Sequence, residues 1–289
     1  MGLDAPAGPV FRRDTSNRWQ DSASRVLGID LLALLWRRRQ VMYATTAVEL
    51  RKRYSGAILG RVWIFLNPIL FLSTYLFVYL IVLKINTSNM SALEFMLYMF
   101  CGLVPFLAFV DVFAAACVVI RQNTGVIRNV ILPIEFLPLR VVFTAMITQM
   151  AGLGLILVMA CFAGTASWHL LWLPAVLVLQ FFLFTGIAMF MASLGVAILD
   201  LGPMSGVIAT LLMQISPIVY TLSMVPKSIL FLVYLNPLAP MMEMFRESIV
   251  EARWPNPTIA ALFVVTSLGV FFLGHAAFAR FKDTIDDHV

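Results

Sequence analysis

Long apolar runs, separated by short polar or basic stretches, make up most of the chain. Each run carries at most one Asp, Glu, Lys or Arg, and the longest of them, residues 141–199, carries none. A helix that crosses a bilayer needs about 20 apolar residues, so this longest run provides for two crossings and a turn. The pattern predicts an all-α polytopic membrane protein with six membrane-spanning helices, at residues 62–83, 95–119, 139–163, 173–198, 204–222 and 257–279.

The composition agrees with this pattern and excludes several classes of protein. Of the 289 residues, 61% are hydrophobic and only 12% are charged, and the mean hydropathy is +0.93. Soluble domains carry about 25% charged residues, so the composition excludes a soluble enzyme, a disordered chain and a nucleic-acid-binding protein. The cysteines Cys101, Cys117 and Cys161 all fall inside predicted spans without a C-x-x-C pair, and neither a disulfide framework nor a metal site is predicted.

The distribution of basic residues predicts the orientation in the membrane. Residues 1–61 contain 11 of the 20 Lys and Arg residues. When this segment is assigned to the cytosol and the loops are counted alternately, 16 basic residues lie inside and 4 outside. Because basic loops stay on the cytosolic side, both termini are predicted to be cytosolic. The chain then divides into a flexible tail at 1–25, interface helices at 26–60, a membrane domain at 61–281 and a C-terminal tail at 282–289.

Residues 26–60 are predicted to form amphipathic helices in the cytosolic membrane interface. The apolar stretch 26–36 is too short to cross the bilayer and is followed at once by basic residues. A second helical stretch also ends in basic residues, whose long side chains reach toward the phosphates of membrane lipids. The basic residues concerned are Arg37, Arg38, Arg39, Arg51 and Arg53.

The cytosolic connection between the second and third predicted crossings contains a short amphipathic segment. Asn123 or Thr124 is suited to cap a helix there, and Val126 and Ile127 give that helix an apolar side. Two interpretations remain open on the residues alone: a connector that lies in the interface, or a surface helix on which a partner docks.

The stretch between the fifth and sixth crossings is apolar but too short to span. Only 15 uncharged residues separate Lys227 from Glu243, and they include Asn236, Pro237 and Pro240. Apolar segments of this length, broken by proline, are typical of re-entrant helices. A re-entrant pair that dips into the outer leaflet is predicted at about 226–247.

Signatures of catalysis are scarce. The chain contains no Gly-Lys pair, so a Walker A phosphate loop is excluded, and neither G-x-S-x-G nor H-E-x-x-H occurs.

Asp111 is the only ionisable residue well inside a predicted span. Charges in that position point to a function by default, but a structural hydrogen bond to a neighbouring helix and a proton relay both fit.

Two predicted crossings carry aromatic or hydroxyl side chains at helical spacing. Phe71, Tyr75 and Tyr79 follow each other at intervals of four in the first crossing, as do Ser216 and Tyr220 in the fifth. Such stripes are common in helix packing or at lipid-facing surfaces. They also suit a pore lining, since aromatic faces stack on sugar rings, and the sequence alone leaves both interpretations open.

Several segments, in order along the chain, resemble a known family. They are LRKRYSGAILGRVWIFLNPIL (Leu50–Leu70), GLVPF (Gly102–Phe106), NTGVIRNVILPIEFLPL (Asn123–Leu139), SPIVYTLSMVP (Ser216–Pro226) and YLNPLAPMMEMFR (Tyr234–Arg246). Together they resemble the permeases of ABC type-2 polysaccharide exporters, which move O-antigen, teichoic-acid or capsular polymers. The resemblance covers about residues 27–281. It departs at Leu199-Asp200, where relatives often have Arg-Asp.

The resemblance implies six crossings per subunit, a homodimer with a central pore, and two separate ATPase subunits that hold ATP and Mg²⁺, so that this chain itself binds no cofactor. It implies a coupling helix at 123–135, including Arg128 and Glu135, and an outer cap formed by the re-entrant pair. The first and fifth crossings would line the channel. The implied cargo is an undecaprenyl-diphosphate-linked glycan, and the implied location is the bacterial inner membrane.

Two rival functions remain. The first is a permease of the same fold for drug, lipid or small-molecule efflux, which would respond to small hydrophobic compounds rather than export a glycan. The second is a membrane-embedded glycosyltransferase. That class would carry acidic catalytic or metal-binding clusters in a loop, and the sequence has none. The chain is therefore predicted to be a transport subunit rather than an enzyme.

Overall fold

The computed structural model describes residues 31, 35–82, 91–125, 133–220, 225, 226, 228 and 230–286. Throughout these residues the secondary structure is helical and contains no β-strand, which confirms the all-α class. The predicted tail at 1–25, most of the stretch 26–36 and residues 126–132 lie outside the described part of the chain.

Two helices precede the main bundle. Helix α1 (Arg39–Tyr54) is the polar, basic helix that the sequence predicts at the interface, and it packs against the helix Phe136–Ala163. Helix α2 (Trp63–Leu76) contains Pro68 and continues as a π-helical turn, Phe77–Val82. The turn between them includes Gly56 at a φ of 87°, a left-handed conformation that glycine adopts without strain.

Four long helices form the bundle: α3 (Ala92–Gln122), α4 (Phe136–Ala163), α5 (Leu173–Ala197) and α9 (Pro257–Asp286). A short 3₁₀ segment, Trp168–Trp172, runs into α5. In the described part of the chain these are the four helices that are long and apolar enough to cross a membrane. Their termini follow local sequence signals: α3 begins in a capping box made by Ser91 and Glu94, and α4 ends at Gly164, which has a φ of 73°.

Three shorter helices occupy the region between α5 and α9. Helix α6 (Leu201–Ile215) is apolar but has only 15 residues, and α7 (Leu230–Leu235) and α8 (Leu238–Ile249) follow it. The sequence predicts helix as far as residue 222, whereas the structure ends it at Ile215. Pro217 explains the difference, because proline lacks an N–H donor and disfavours helical geometry in the residue before it.

The bundle is held by close helix crossings and one buried amide pair. Helix α9 packs directly on α5. The residues at the crossing are Gly186 and Gly274, which have no side chains. Small residues at such positions let helix backbones approach closely. Gln149 of α4 and Gln180 of α5 exchange two hydrogen bonds, at 3.0 and 2.7 Å, inside the bundle. Helix α3 is the centre of the fold and contacts α4, α5, α6 and α8.

Candidate functional site

Asp111, the acidic residue that the sequence singles out inside a predicted span, is bound by α1. A guanidinium nitrogen of Arg53, near the end of α1, lies 2.6 Å from the Asp111 carboxylate on α3. Each of the two side chains is about one-third exposed, at 36% and 31%. Of the two roles left open for Asp111, the geometry favours a structural bond between helices.

Further polar contacts join the same ends of the helices. Arg140 of α4 lies 3.5 Å from Glu49 of α1 and donates a 3.3 Å hydrogen bond to the side-chain oxygen of Asn123. The Asn123 amide also donates to the carbonyl of Val119, one turn back in α3. Lys282, near the end of α9, lies 2.6 Å from Glu135, which precedes α4. We call this set the inner junction; it comprises Glu49, Arg53, Asp111, Asn123, Glu135, Arg140 and Lys282.

The inner junction contains part of the predicted docking loop. Asn123 and Glu135, at the two ends of that loop, are bonded to long helices as described, and Thr124 is exposed. The remaining loop residues predicted to face a partner, Val126, Ile127 and Arg128, lie outside the described residues. The structure therefore gives the anchoring of the loop at both ends.

Two cavities flank the ion pair between Arg53 and Asp111. One of about 50 Å³ lies between α2, α3 and α4 and includes Asn67 and Gln149 in its lining. The other, of about 450 Å³, is lined by Glu49 and by residues of α3 and α4. Arg53, Asp111 and Ala145 line both spaces.

The predicted interface arginines differ in their surroundings. Arg37, Arg38, Arg39 and Arg51 are exposed at the two ends of α1. The guanidinium of Arg39 lies 5.3 Å from the centre of the Trp36 ring, a cation–π contact. Arg53 is exposed as well, and its guanidinium pairs with Asp111 of α3.

The predicted pathway residues lie on α2, in the turn that continues it, and in the segment after α6, and both α2 and α6 contact α3. Phe71 is on α2 and its side chain is exposed. Tyr75 and Tyr79 have helical backbones, but their side chains lie outside the described part of the structure. Tyr79 falls in the π-helical turn, where the hydrogen bonds run from i to i+5. The spacing of four that predicts one shared face therefore applies only as far as Leu76.

Ser216 and Tyr220 follow the end of α6 instead of extending it. The amide of Asn236 donates a 2.9 Å hydrogen bond to the Ser216 hydroxyl, which joins a predicted pathway residue to a predicted cap residue. The Tyr220 hydroxyl donates to the carbonyl of Ile215, and the hydroxyl of Tyr98 lies 3.4 Å from the carbonyl of Tyr220. Pro237 and Pro240 stand at the start of α8, where Pro240 is buried.

The non-helical residues Ser216–Ile218, which follow α6, are called the break below. A fully buried arginine, Arg246, lies next to them. Its guanidinium donates to the backbone carbonyls of Pro217 at 2.5 Å and Ile218 at 2.9 Å, and to the Glu243 carboxylate at 2.8 Å. It also lies 3.8 Å from the centre of the Tyr98 ring. We call Tyr98, Pro217, Ile218, Glu243 and Arg246 the arginine cluster.

A second buried acid lies one residue beyond Arg246 in α8. Glu247 accepts hydrogen bonds from Arg253 at 2.8 Å and from the backbone N–H of Asn256 at 2.9 Å, and so shapes the turn that leads into α9. Arg253 also pairs with Glu251, at 2.6 Å. Burial raises the pKa of the Glu251 carboxyl, and the Arg253 guanidinium opposes that shift.

Sequence reasoning misses the arginine cluster, although its signals are present. Glu243 and Arg246 follow a charge-free stretch, within the predicted re-entrant pair at about 226–247. Glu243 and Arg246 are three residues apart, and Glu247 follows directly. In a helix this spacing brings all three charged side chains close together. Three of the segments that carry the family resemblance meet at this cluster: the one containing Gly102, the one containing Pro217, and the one ending at Arg246.

Comparisons with known proteins complete this description. Residues 40–250 match the sequence model of a family described as ABC-2 type transporter. The chain is 28% identical to the O-antigen export system permease protein RfbA of Myxococcus xanthus over 231 residues, which cover 79% of this chain and 87% of that protein. Two proteins of the same name from Klebsiella pneumoniae are 24% and 22% identical, and each comparison covers 84% of this chain and 92% of the relative.

Proposed function

The chain belongs to the ABC-2 type transporter family, and from this premise we propose that it is the permease subunit of an exporter that moves a lipid-linked polysaccharide, such as an O-antigen, across the bacterial inner membrane. The observation that carries the proposal is the set of relatives named as O-antigen export permeases, which align over 79% to 84% of the chain. The four long apolar helices supply a membrane-embedded body for such a subunit.

Energy for transport comes from a partner. The chain has no Gly-Lys pair and hence no Walker A loop, so ATP and Mg²⁺ belong to separate ATPase subunits, two per complex. The loop at 123–135 is the surface on which they dock. Support comes from the anchoring of its ends: Asn123 is bonded to Arg140 of α4 and Glu135 to Lys282 of α9, so a push on the loop reaches three long helices directly.

The topology we propose has six crossings with both termini in the cytosol. Helix α2 with its π-helical turn is the first crossing, since the two together run continuously from residue 63 to residue 82. Helix α6 with the non-helical residues after it is the fifth, and α7 and α8 form the re-entrant pair at the outer side. The buried position of α8 supports this, because polar and irregular backbone at membrane depth must be enclosed by protein.

The transport pathway lies between two copies of the chain. Phe71 lies on α2 and the other predicted pathway residues follow α6; both helices contact α3, and one copy leaves apolar side chains of α2 and α6 exposed. A homodimer that covers these faces brings the two helices of each subunit toward a shared central space. The glycan, carried on a polyprenyl diphosphate, then passes between the subunits.

Removal of the chain from its host tests this function. We expect a null strain with intact glycan synthesis to lose surface polysaccharide and to accumulate the lipid-linked polymer on the cytosolic side, with both effects reversed by the chain expressed in trans. Normal surface glycan with increased sensitivity to small hydrophobic compounds would identify a small-molecule efflux permease instead. Loss of the polymer itself, without accumulation, would identify a glycosyltransferase.

A further inference from the structure

Arg246 is an unusual residue for the interior of a membrane protein. Its side chain is completely buried, and the cluster around it combines three elements: α3, the chain after α6, and α8, which also carries Glu243 one turn before Arg246. We propose that Arg246 is a positioning residue that holds the fifth crossing in its interrupted form at Ser216–Ile218 and thereby sets the outer end of the transport pathway. The link to transport rests on the proposed function, whereas the link to the break does not.

The first argument is the fate of the backbone carbonyls in the non-helical segment just after α6. An unpaired backbone group in a water-free interior costs free energy. Pro217 has no N–H with which to continue the helix. Arg246 donates from the same terminal nitrogen, Nη2, to the carbonyls of Pro217 and Ile218. It therefore supplies hydrogen-bond donors to the interrupted segment from a distant part of the chain.

The second argument is the space made for this contact. A Cβ atom added to Gly102 of α3 would lie 2.9 Å from Nη2 of Arg246 and 3.3 Å from Cα of Ile218. A side chain at this position would therefore collide with both the arginine and the interrupted segment. The glycine lets α3 approach the break closely, and Tyr98, one turn earlier, covers the guanidinium with its ring.

The third argument concerns what a buried charge contributes. A buried ion pair contributes little net stability compared with apolar residues of the same shape, because both charges lose their hydration. If Arg246 only neutralised the Glu243 carboxylate, a single contact between the two side chains would be enough. Arg246 makes two further contacts with the backbone of the interrupted segment, and the forked geometry of a guanidinium, which lysine lacks, suits this use. The donor pattern therefore points to holding a conformation.

The test measures how firmly the break is held, without any cargo. Val219 packs against the core next to the two bonded carbonyls. In a chain whose native cysteines are replaced, the maleimide labelling rate of Val219→Cys in purified permease reports the opening of this segment. Arg246→Lys keeps the charge beside Glu243 but loses the fork. We expect it to raise the labelling rate about tenfold or more. Losing a hydrogen bond to a charged group shifts the equilibrium between the closed and the open segment by about this factor.

Two further variants separate positioning from charge neutralisation. Glu243→Gln combined with Arg246→Met removes the buried charges together but leaves the carbonyls of Pro217 and Ile218 without their donor, and we expect labelling to stay fast. Arg253→Lys is the matched control: its side chain is 55% exposed and its recorded side-chain contacts are to the carboxylates of Glu247 and Glu251. We expect its labelling rate to stay within about twofold of the parent, as for a surface substitution.

The outcomes that overturn the proposal are distinct. Parental labelling in Arg246→Lys, or in the double variant, would mean that Arg246 does not hold the break. If Arg246→Lys does not insert, Gly102→Ala replaces it, since its methyl group displaces the same contact, and unchanged labelling there would count equally against the proposal.

Export of surface glycan per inserted permease is measured on the same variants, and we expect it to fall in Arg246→Lys. Fast labelling with normal export would overturn the link between the break and the pathway. Failure of the parent chain itself to export would refute the proposed function and leave the labelling result standing.

Discussion

At the scale of single residues, the pair between Arg53 and Asp111 connects the interface helix to the centre of the bundle. Because both side chains are about one-third exposed, the pair is expected to contribute about 1 kcal/mol rather than the larger value of a fully buried pair. We predict that Arg53→Asp and Asp111→Arg each lower the thermal stability of the purified permease and that the swapped double variant recovers most of the loss. The measurement is a double-mutant cycle on unfolding midpoints.

The same swap distinguishes the two roles that the sequence leaves open for Asp111. A proton relay depends on a carboxyl group at that position, and exchanging the two charges would not restore it. A structural bond depends only on the pairing. Recovery of both stability and export in the swapped variant therefore supports the structural role, and recovered stability without export would favour the relay.

Single residues also mark where sequence reasoning ends. Asp111 is recognisable as an intramembrane charge from its surroundings in the chain, but its partner is 58 positions away, and the basic residues near Arg53 predict lipid contact equally well. Arg246 is harder still, since a charge at the edge of an apolar stretch normally indicates the membrane boundary. Its burial follows from the fold of α8 into the protein, which depends on contacts with α3 and α9 that no local pattern encodes.

At the scale of elements, the crossing of α5 and α9 depends on two glycines. A Cβ atom at Gly274 would lie 2.0 Å from the carbonyl oxygen of Gly186, and one at Gly186 would lie 2.3 Å from the carbonyl oxygen of Val270. An alanine at either position must push the helices apart. We predict a loss of about 1–3 kcal/mol for Gly186→Ala or Gly274→Ala, the range found for overpacked cores. The loss is measured as a lower unfolding midpoint in detergent.

Gly269 provides the matched control on the same helix. An added Cβ there meets no atom within 4 Å, so Gly269→Ala keeps the crossing intact and gains helix propensity. Its unfolding midpoint should equal or exceed that of the parent chain. Equal midpoints for Gly274→Ala and Gly269→Ala would contradict the close crossing of the two backbones.

Most elements follow from the hydrophobic pattern, and the exceptions have identifiable causes. The four long helices coincide with long apolar runs, because length and apolarity are properties of the local sequence. The end of α6 is less predictable, since the apolar run continues through Pro217 to residue 226 and the carbonyls that follow the helix are paired by an arginine from α8. The π-helical turn after Leu76 likewise has no signal in the periodicity of the aromatic residues.

At the scale of the whole molecule, the inner junction and the arginine cluster involve opposite ends of α3. Under the proposed topology the junction faces the cytosol and the cluster faces outward. We predict that, in a chain without native cysteines, Ala166→Cys reacts with an impermeant maleimide in intact cells, because it lies in the turn between α4 and α5. Thr124→Cys should react only after the membrane is permeabilised. The reverse pattern would invert the topology.

One copy of the chain leaves a continuous apolar face on α6. Met204, Val207, Leu211 and Ile215 repeat at intervals of three and four, and all four side chains are more than half exposed. Exposed apolar side chains also occur on α9, where Leu273 is 72% exposed. Either face would be covered by lipid in a monomer. In the proposed homodimer the two faces differ, since α6 precedes the pathway segment whereas α9 packs on α5.

Cross-linking in native membranes separates these possibilities. We predict that a single cysteine at Met204, Val207, Leu211 or Ile215, in a chain without other cysteines, yields a cross-linked dimer at one or more of the four positions, because this face meets its counterpart across the two-fold axis. Leu273→Cys should remain monomeric under the same conditions, since lipid covers α9. The yield is measured on non-reducing gels relative to total inserted permease. Efficient cross-linking through Leu273 with none through α6 would move the interface, and with it the pathway, to the opposite side of the bundle.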